Sequence, residues 1–181
     1  MRRDNISEKE ISVFYVVASI VLWIITVVWM YMIFFLSSET GDDSSARSIG
    51  FVQYVNSTLG DPGITELMVR KGTHILEYSV LSLLSFLSIR FTNLISPQNS
   101  YDQSPTKMIK SDNELYIILS LWFSLLFAIL DEYHQLFVAG RTGSIVDVCI
   151  DLIGIVVMLI IIRVIFAIYL IRLRRSEISY N

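Results

Sequence analysis

Long apolar runs alternate with short polar segments along most of the chain. Four runs, at about residues 11–36, 72–90, 115–135 and 144–165, are nearly free of charge over most of their length. A membrane-spanning helix needs about 20 mainly apolar residues, and all four runs approach or exceed that length. The pattern therefore predicts an all-α polytopic membrane protein with four transmembrane helices.

The connection between the first two spans carries a weaker helical signal. Within residues 40–70, Val52 and Val55 repeat at helical spacing, and Asp43 or Ser44 would cap a helix that contained them. Two interpretations stay open: an amphipathic helix lying in the membrane interface, or a partly ordered loop.

The polar segment 92–114 is rich in Pro, Asn, Gln and Ser, which predicts a flexible linker. The chain is then organised as a cytoplasmic N-terminus at 1–10, one four-helix domain at 11–171 and a cytoplasmic tail at 172–181. The first span is too long for the apolar core of a signal peptide, so we expect it to remain as an anchor.

Composition supports a membrane protein and says little else. The chain is 54% hydrophobic with a mean hydropathy of +0.60, which is too apolar for an ordinary soluble domain. The net charge of −3 is small. The single cysteine, Cys149, excludes an intrachain disulfide.

The distribution of basic residues predicts the orientation. If the N-terminus is cytoplasmic, ten of the 14 Lys and Arg residues lie on the inner side, and four lie outside: Arg47, Arg70, Lys71 and Arg141. Positive charge favours the cytoplasm, so both termini are predicted inside, in a bacterial plasma membrane.

This topology gathers the polar span ends on the outer face. These ends carry Ser37 and Ser38; Lys71, His74, Glu77 and Tyr78; Asp131, Glu132, His134 and Gln135; and Arg141, Asp147 and Asp151. A carboxylate that faced lipid would cost about 2.5–3.5 kcal/mol, so the stripe of Asp147, Asp151 and Gly154 must face the bundle interior or a cleft. We therefore predict an outward-facing polar cleft.

Three motifs, in this order, resemble the VanZ-like family: Phe35-Leu36-Ser37-Ser38, then Arg70-Lys71-x-x-His74-x-x-Glu77-Tyr78, then Asp131-Glu132-x-His134-Gln135 followed by Gly140-Arg141 and Asp147. VanZ-like proteins are small bacterial membrane proteins, named after an accessory factor for resistance to teicoplanin, a lipid-bearing glycopeptide antibiotic. The resemblance implies a cell-envelope role. The chain departs from it at Ala139, where proline is frequent, and at Asp151, where asparagine is frequent.

Histidines and carboxylates at one membrane surface can supply acid and base groups to a hydrolase or transferase. In this interpretation His134 is the base, oriented by Asp131 or Asp147, while Arg141 and Lys71 hold an anionic group such as a lipid phosphate. The full set of expected catalytic residues is His74, Glu77, Asp131, Glu132, His134 and Asp147, and the expected substrate-binding residues are Lys71, Tyr78, Gln135, Arg141, Asp151 and Ser38.

Membrane lipids or lipid-linked cell-wall precursors are the expected partners, and nucleic acid is not. Three alternatives stay open. The cleft binds a lipid or an antibiotic without catalysis. The polar residues form a network that only holds the helices together. The third is a metal site: no cofactor is predicted, but His74 and His134 with Asp131 or Asp147 have the ligand types of a divalent metal site.

Overall fold

The computed structural model describes residues 13–60, 63–95 and 105–179, and within these ranges all regular structure is helical. Five helices follow one another: α1 (Val13–Ser37), α2 (Gly41–Leu59), α3 (Glu66–Leu94), α4 (Pro105–Gln135) and α5 (Ile145–Ser179). Four segments are long and apolar enough to cross a membrane: Val13–Ser37, Glu66–Leu94, Asn113–Gln135 and Ile145–Arg172. The predicted fold class is confirmed.

Helix α3 lies at the centre of the bundle, where it packs against all four other helices. Its buried side is lined by serines, among them Ser82, Ser85 and Ser88. The hydroxyls of Ser82 and Ser85 donate to carbonyls of their own helix, and Ser85 also meets Ser124 of α4 at 3.2 Å. The hydroxyl of Ser88 meets that of Thr26 of α1 at 2.9 Å. Small residues whose hydroxyls are satisfied in this way let helices approach closely in an apolar environment.

Helices α3 and α5 approach each other closely at Gly154. A Cβ atom at Gly154 would collide with the backbone carbonyl of Ile75, and Ser79 Oγ donates to the carbonyl of Gly154 at 2.9 Å. Gly154 is therefore a point of close contact between the two helices, on the stripe that the sequence predicts to face the bundle interior or a cleft. The apolar side chains of α1 and of the outer side of α5, by contrast, are largely exposed, as expected of lipid-facing surfaces.

Of the two interpretations of residues 40–70, the structure supports the helix, which is α2 (Gly41–Leu59). Thr40, and neither Asp43 nor Ser44, is the N-cap, and its side chain accepts from the backbone N–H of Asp43. The helix ends at Gly60, which adopts the left-handed conformation that glycine tolerates best. Helix α2 packs against α3.

The flexible-linker prediction was wrong where the structure describes the segment. Helix α3 continues to Leu94 and α4 begins at Pro105, while residues 96–104 lie outside the described ranges. Proline suits the first position of a helix, where its missing N–H costs nothing. The polar composition of this segment did not predict that α4 begins so early. The first residues of α4 are helical because they continue the apolar span that follows, and they have no apolar pattern of their own.

Candidate functional site

The ends of four helices and their connecting loops meet at one end of the bundle, here called the polar end, which comprises the C-termini of α1 and α4 and the N-termini of α3 and α5. A backbone hydrogen bond joins the two loops there, from the N–H of Gly41 to the carbonyl of Ala139 at 3.0 Å. Gly140 adopts φ 73° and abuts Gly41 so closely that a side chain on Gly41 would collide with it. The predicted convergence of distant polar segments is therefore observed.

Arg141 binds the open end of α1. Its Nε donates to the carbonyl of Glu39 at 2.9 Å, and its Nη2 donates to the carbonyl of Leu36 at 3.0 Å. A longer contact of 3.5 Å links Nη1 to Gln135 Oε1. The last carbonyls of a helix have no partner within the helix, so a guanidinium that reaches one of them, together with a carbonyl just beyond the helix, stabilises that end.

Among the described residues, His134 contacts α1 and no carboxylate. Its Nε2 lies 3.1 Å from Ser38 Oγ, and its ring stacks on Phe34 with centroids 4.3 Å apart. Because the Ser38 hydroxyl donates to the carbonyl of Phe34, it accepts the N–H of His134. The expectation that Asp131 or Asp147 orients His134 does not match this geometry, in which the imidazole holds α1 and α4 together.

Two acidic residues near the end of α4, Asp131 and Glu132, are held by one amide. Gln135 Nε2 donates to Asp131 Oδ2 at 3.2 Å and to Glu132 Oε1 at 3.0 Å. The other oxygen of Glu132 accepts from the backbone N–H of Ser144 at 2.9 Å, which ties α4 to the start of α5. All three side chains are buried.

The imidazole that does meet a carboxylate is His74. Its Nδ1 lies 3.3 Å from Oδ1 of Asp151, across the close contact between α3 and α5. Asp151 is fully buried, and neither of its oxygens makes a hydrogen bond with the described residues. Asp147, one turn earlier on α5, is only partly buried, so it is Asp151 that joins the buried cluster.

A cavity of about 260 Å³ opens at the polar end between α1, α2, α3 and the loop that carries Arg141. Its polar lining combines three arginines with three groups that can exchange protons: Arg47, Arg70 and Arg141, and His74, Glu77 and Asp131. Ser37 lines the cavity, whereas Ser38 turns towards His134. Neither His134 nor Asp147 lines it.

Two further expected site residues differ from their predicted placement. Tyr78, an expected substrate-binding residue, is completely buried in the apolar core and does not line the cavity. Lys71 makes no ion pair within the described part of the chain, and its neighbour Arg70 lines the cavity instead. Arg47 and Arg70 line the cavity but were not among the site residues expected from the sequence. Their predicted placement on the outer side was the signal that could have identified them.

Comparison with protein-family models matches residues 22–167 to VanZ/LLP1. No curated protein and no solved structure matches the chain. The matched region runs from within α1 to within α5 and so includes every side chain of the polar end described above.

Proposed function

Since the chain belongs to the VanZ/LLP1 family, we propose that it is a cell-envelope membrane protein whose polar end binds the phosphate of an outer-leaflet lipid or of a lipid-linked wall precursor and acts on it by acid–base chemistry. Through this action it modulates susceptibility to glycopeptides such as teicoplanin.

The observation that carries the proposal is the meeting of three arginines on one cavity. Arg47 comes from α2, Arg70 from α3 and Arg141 from the loop before α5. Burial lowers the pKa of the Arg141 guanidinium, and the positive charges of Arg70 and Arg47 lower it further. Arginine nevertheless stays charged, so the cluster is a concentration of positive charge that a phosphate would relieve.

The nearby acids neutralise this cluster incompletely. Arg47 pairs with Glu39 at 2.6 Å, and Arg70 lies 3.9 Å from Glu66 on the rim. Arg141 has no carboxylate within 4 Å among the described residues, because its bonds go to carbonyls and an amide. A guanidinium with an incomplete partner set at the mouth of a cavity favours an anionic ligand.

The size of the cavity favours a headgroup over a whole antibiotic. Pockets for drug-sized ligands typically measure about 300–1,000 Å³, and this cavity is slightly smaller. A glycopeptide is far larger than a drug-sized ligand, whereas a phosphate with a short substituent is smaller. An effect on teicoplanin would then come from the envelope lipid that this protein handles.

The inner lining of the cavity supplies the chemistry. Glu77 and Asp131 can each accept or donate a proton beside a phosphate held by the arginines. In hydrolysis, the oxygen of water bonds to phosphorus while the bond from phosphorus to the leaving oxygen breaks. One protein group takes the proton of water, and the other protonates the leaving oxygen.

The proposal is tested with purified protein in vesicles that contain labelled anionic phospholipid or labelled lipid-linked precursor. Release of the labelled headgroup supports an enzyme, and saturable binding without release supports the non-enzymatic alternative. If the protein neither binds any anionic lipid nor releases its headgroup, the proposal fails. Only the interpretation as a network that holds the helices together would then remain.

Arg70→Gln is expected to weaken binding of the phosphate-bearing lipid at least 10-fold, because it removes one of the three cavity charges while leaving the contacts between helices intact. Arg163→Gln is the matched control, since Arg163 is exposed near the opposite end, where it pairs with Glu114. In a teicoplanin-susceptible bacterium, Arg70→Gln should weaken the effect of the protein on teicoplanin susceptibility, and Arg163→Gln should not. Equal binding by both variants would contradict the role of the arginine cluster.

The proposed orientation, with both termini in the cytoplasm of a bacterial plasma membrane, is tested by cysteine labelling after Cys149→Ala. Thr142→Cys places a thiol on the exposed loop of the polar end, and Asn93→Cys places one at the exposed opposite end. A membrane-impermeant maleimide should label Thr142→Cys in intact cells and Asn93→Cys only after permeabilisation. The reverse pattern would place the cavity on the cytoplasmic side.

A further inference from the structure

We propose that His74, Glu132 and Asp151 together bind a divalent transition-metal ion, with Zn²⁺ or Mn²⁺ as the expected ion. The three residues come from α3, α4 and α5, so the site would join the three central helices at the polar end. This ligand set differs from the one expected from sequence, because His134, Asp131 and Asp147 take no part in it.

The donor atoms are close enough to share one ion. One ligand atom from each residue lies within 4.8 Å of the others. His74 Nδ1 and Asp151 Oδ1 are 3.3 Å apart. Neighbouring ligands of a tetrahedral ion with bonds of about 2.0–2.2 Å lie about 3.3–3.6 Å apart, so this pair already has the spacing of two ligands.

The hydrogen-bonding state of these atoms points in the same direction. His74 Nδ1 and both oxygens of Asp151 are buried, and they make no hydrogen bond with the described residues. A buried carboxylate whose oxygens both lack a donor is costly, and the nearby imidazole is not aligned to supply one. A cation between Asp151 and His74 would satisfy all of these atoms at once.

Glu132 is oriented as metal-binding carboxylates are in known sites. Gln135 Nε2 donates to its Oε1, and the backbone N–H of Ser144 donates to its Oε2. Hydrogen bonds from outside the ligand set fix the rotamer of a ligand and influence its affinity for the metal. Imidazole favours Zn²⁺ among common ions, and carboxylates add affinity for Mn²⁺, which is why these two ions are the ones to test.

Three protein ligands leave a coordination position for water or for an oxygen of a bound molecule, as in catalytic zinc sites. His74 also lines the cavity, so the ion would be bound by a side chain that faces the same cavity as the three arginines. The metal site does not depend on the proposed lipid function, since its donors are defined without any lipid. It would, however, add a second positive centre beside the phosphate.

The test is metal binding by the full-length protein in detergent, measured with the metal alone. Protein stripped with a chelator is titrated with Zn²⁺ and with Mn²⁺, and we expect about one ion per chain to bind and to raise the unfolding temperature. Asp151→Asn keeps the shape of the side chain and removes its charge, and we expect it to weaken binding at least 100-fold. Gln135→Ala removes only an orienting hydrogen bond, and a loss of about 10–100-fold is expected.

His134→Asn is the matched control, because it removes the other imidazole, which contacts Ser38 and Phe34 and none of the three ligands. It should bind metal as the wild type does. Wild-type protein that binds neither ion would overturn the proposal even if every variant misfolded. Binding that Asp151→Asn preserves would also overturn it, because the ion would then be held elsewhere in the protein.

Discussion

Gly154→Ala is expected to lower the stability of the helix bundle by about 1–3 kcal/mol or more, the usual cost of overpacking a close contact. The added methyl group would meet the backbone carbonyl of Ile75, and a backbone atom cannot rotate away as the end of a side chain can. The two helices must separate, which also strains the hydrogen bond from Ser79 to the carbonyl of Gly154. The measurement is the unfolding temperature of purified protein in detergent.

Gly72→Ala is the control for this prediction. Gly72 lies in α3, and nothing is within 4 Å of the position that its Cβ would take. Alanine has a higher helix propensity than glycine, so this variant should be unchanged or more stable by up to about 1 kcal/mol. Equal unfolding temperatures for the two variants would mean that α3 and α5 are not in backbone contact.

Arg141→Gln is expected to damage both stability and ligand binding. It removes two charged hydrogen bonds to the carbonyls of Leu36 and Glu39. Each such bond contributes about 1.5–3 kcal/mol, but Arg141 is only partly buried and water can replace some of the loss, so we expect about 2–3 kcal/mol in total. At about 2–4 °C per kcal/mol, the unfolding temperature should fall by roughly 4–12 °C.

Arg141→Lys separates the two roles of Arg141. A lysine keeps the positive charge but is a compact point charge that cannot reach both carbonyls with a planar fork. We expect it to restore much of the binding to phosphate-bearing lipid and little of the stability. If Arg141→Gln unfolds within 1 °C of the wild type, the guanidinium does not hold the end of α1, whatever the binding result.

Much of the candidate site could be predicted from local patterns. Apolar run lengths gave the four spans, and the alternation of chain direction implied that Ser38, His74, His134 and Arg141 lie at one end of the bundle. The spacing of Asp147, Asp151 and Gly154 placed them on one face of α5, and burial of Asp151 and Gly154 agrees with an inward orientation of that face. These inferences need only helix geometry and the cost of exposing charge to lipid.

The pairing of side chains between helices could not be predicted in the same way. Adjacent residues of a helix point about 100° apart, so the rotation of α4 decides that His134 meets Ser38 and Phe34 and that Glu132 approaches His74. The rotation of α1 likewise decides that Ser37 lines the cavity and that Ser38 does not. Sequence periodicity contains no information on the relative rotation of two helices.

The sequence by itself determined that this chain is a four-span helical membrane protein with its ionisable groups concentrated at one end, because hydrophobic length and the penalty for buried charge are local properties. Only the tertiary structure decided which groups meet: His74 with Asp151 and Glu132, and Arg141 with the end of α1 and the cavity. The physical reason is that these contacts depend on the relative rotation and separation of the helices, such as the close approach of α3 and α5 at Gly154, which the packing of the whole bundle sets.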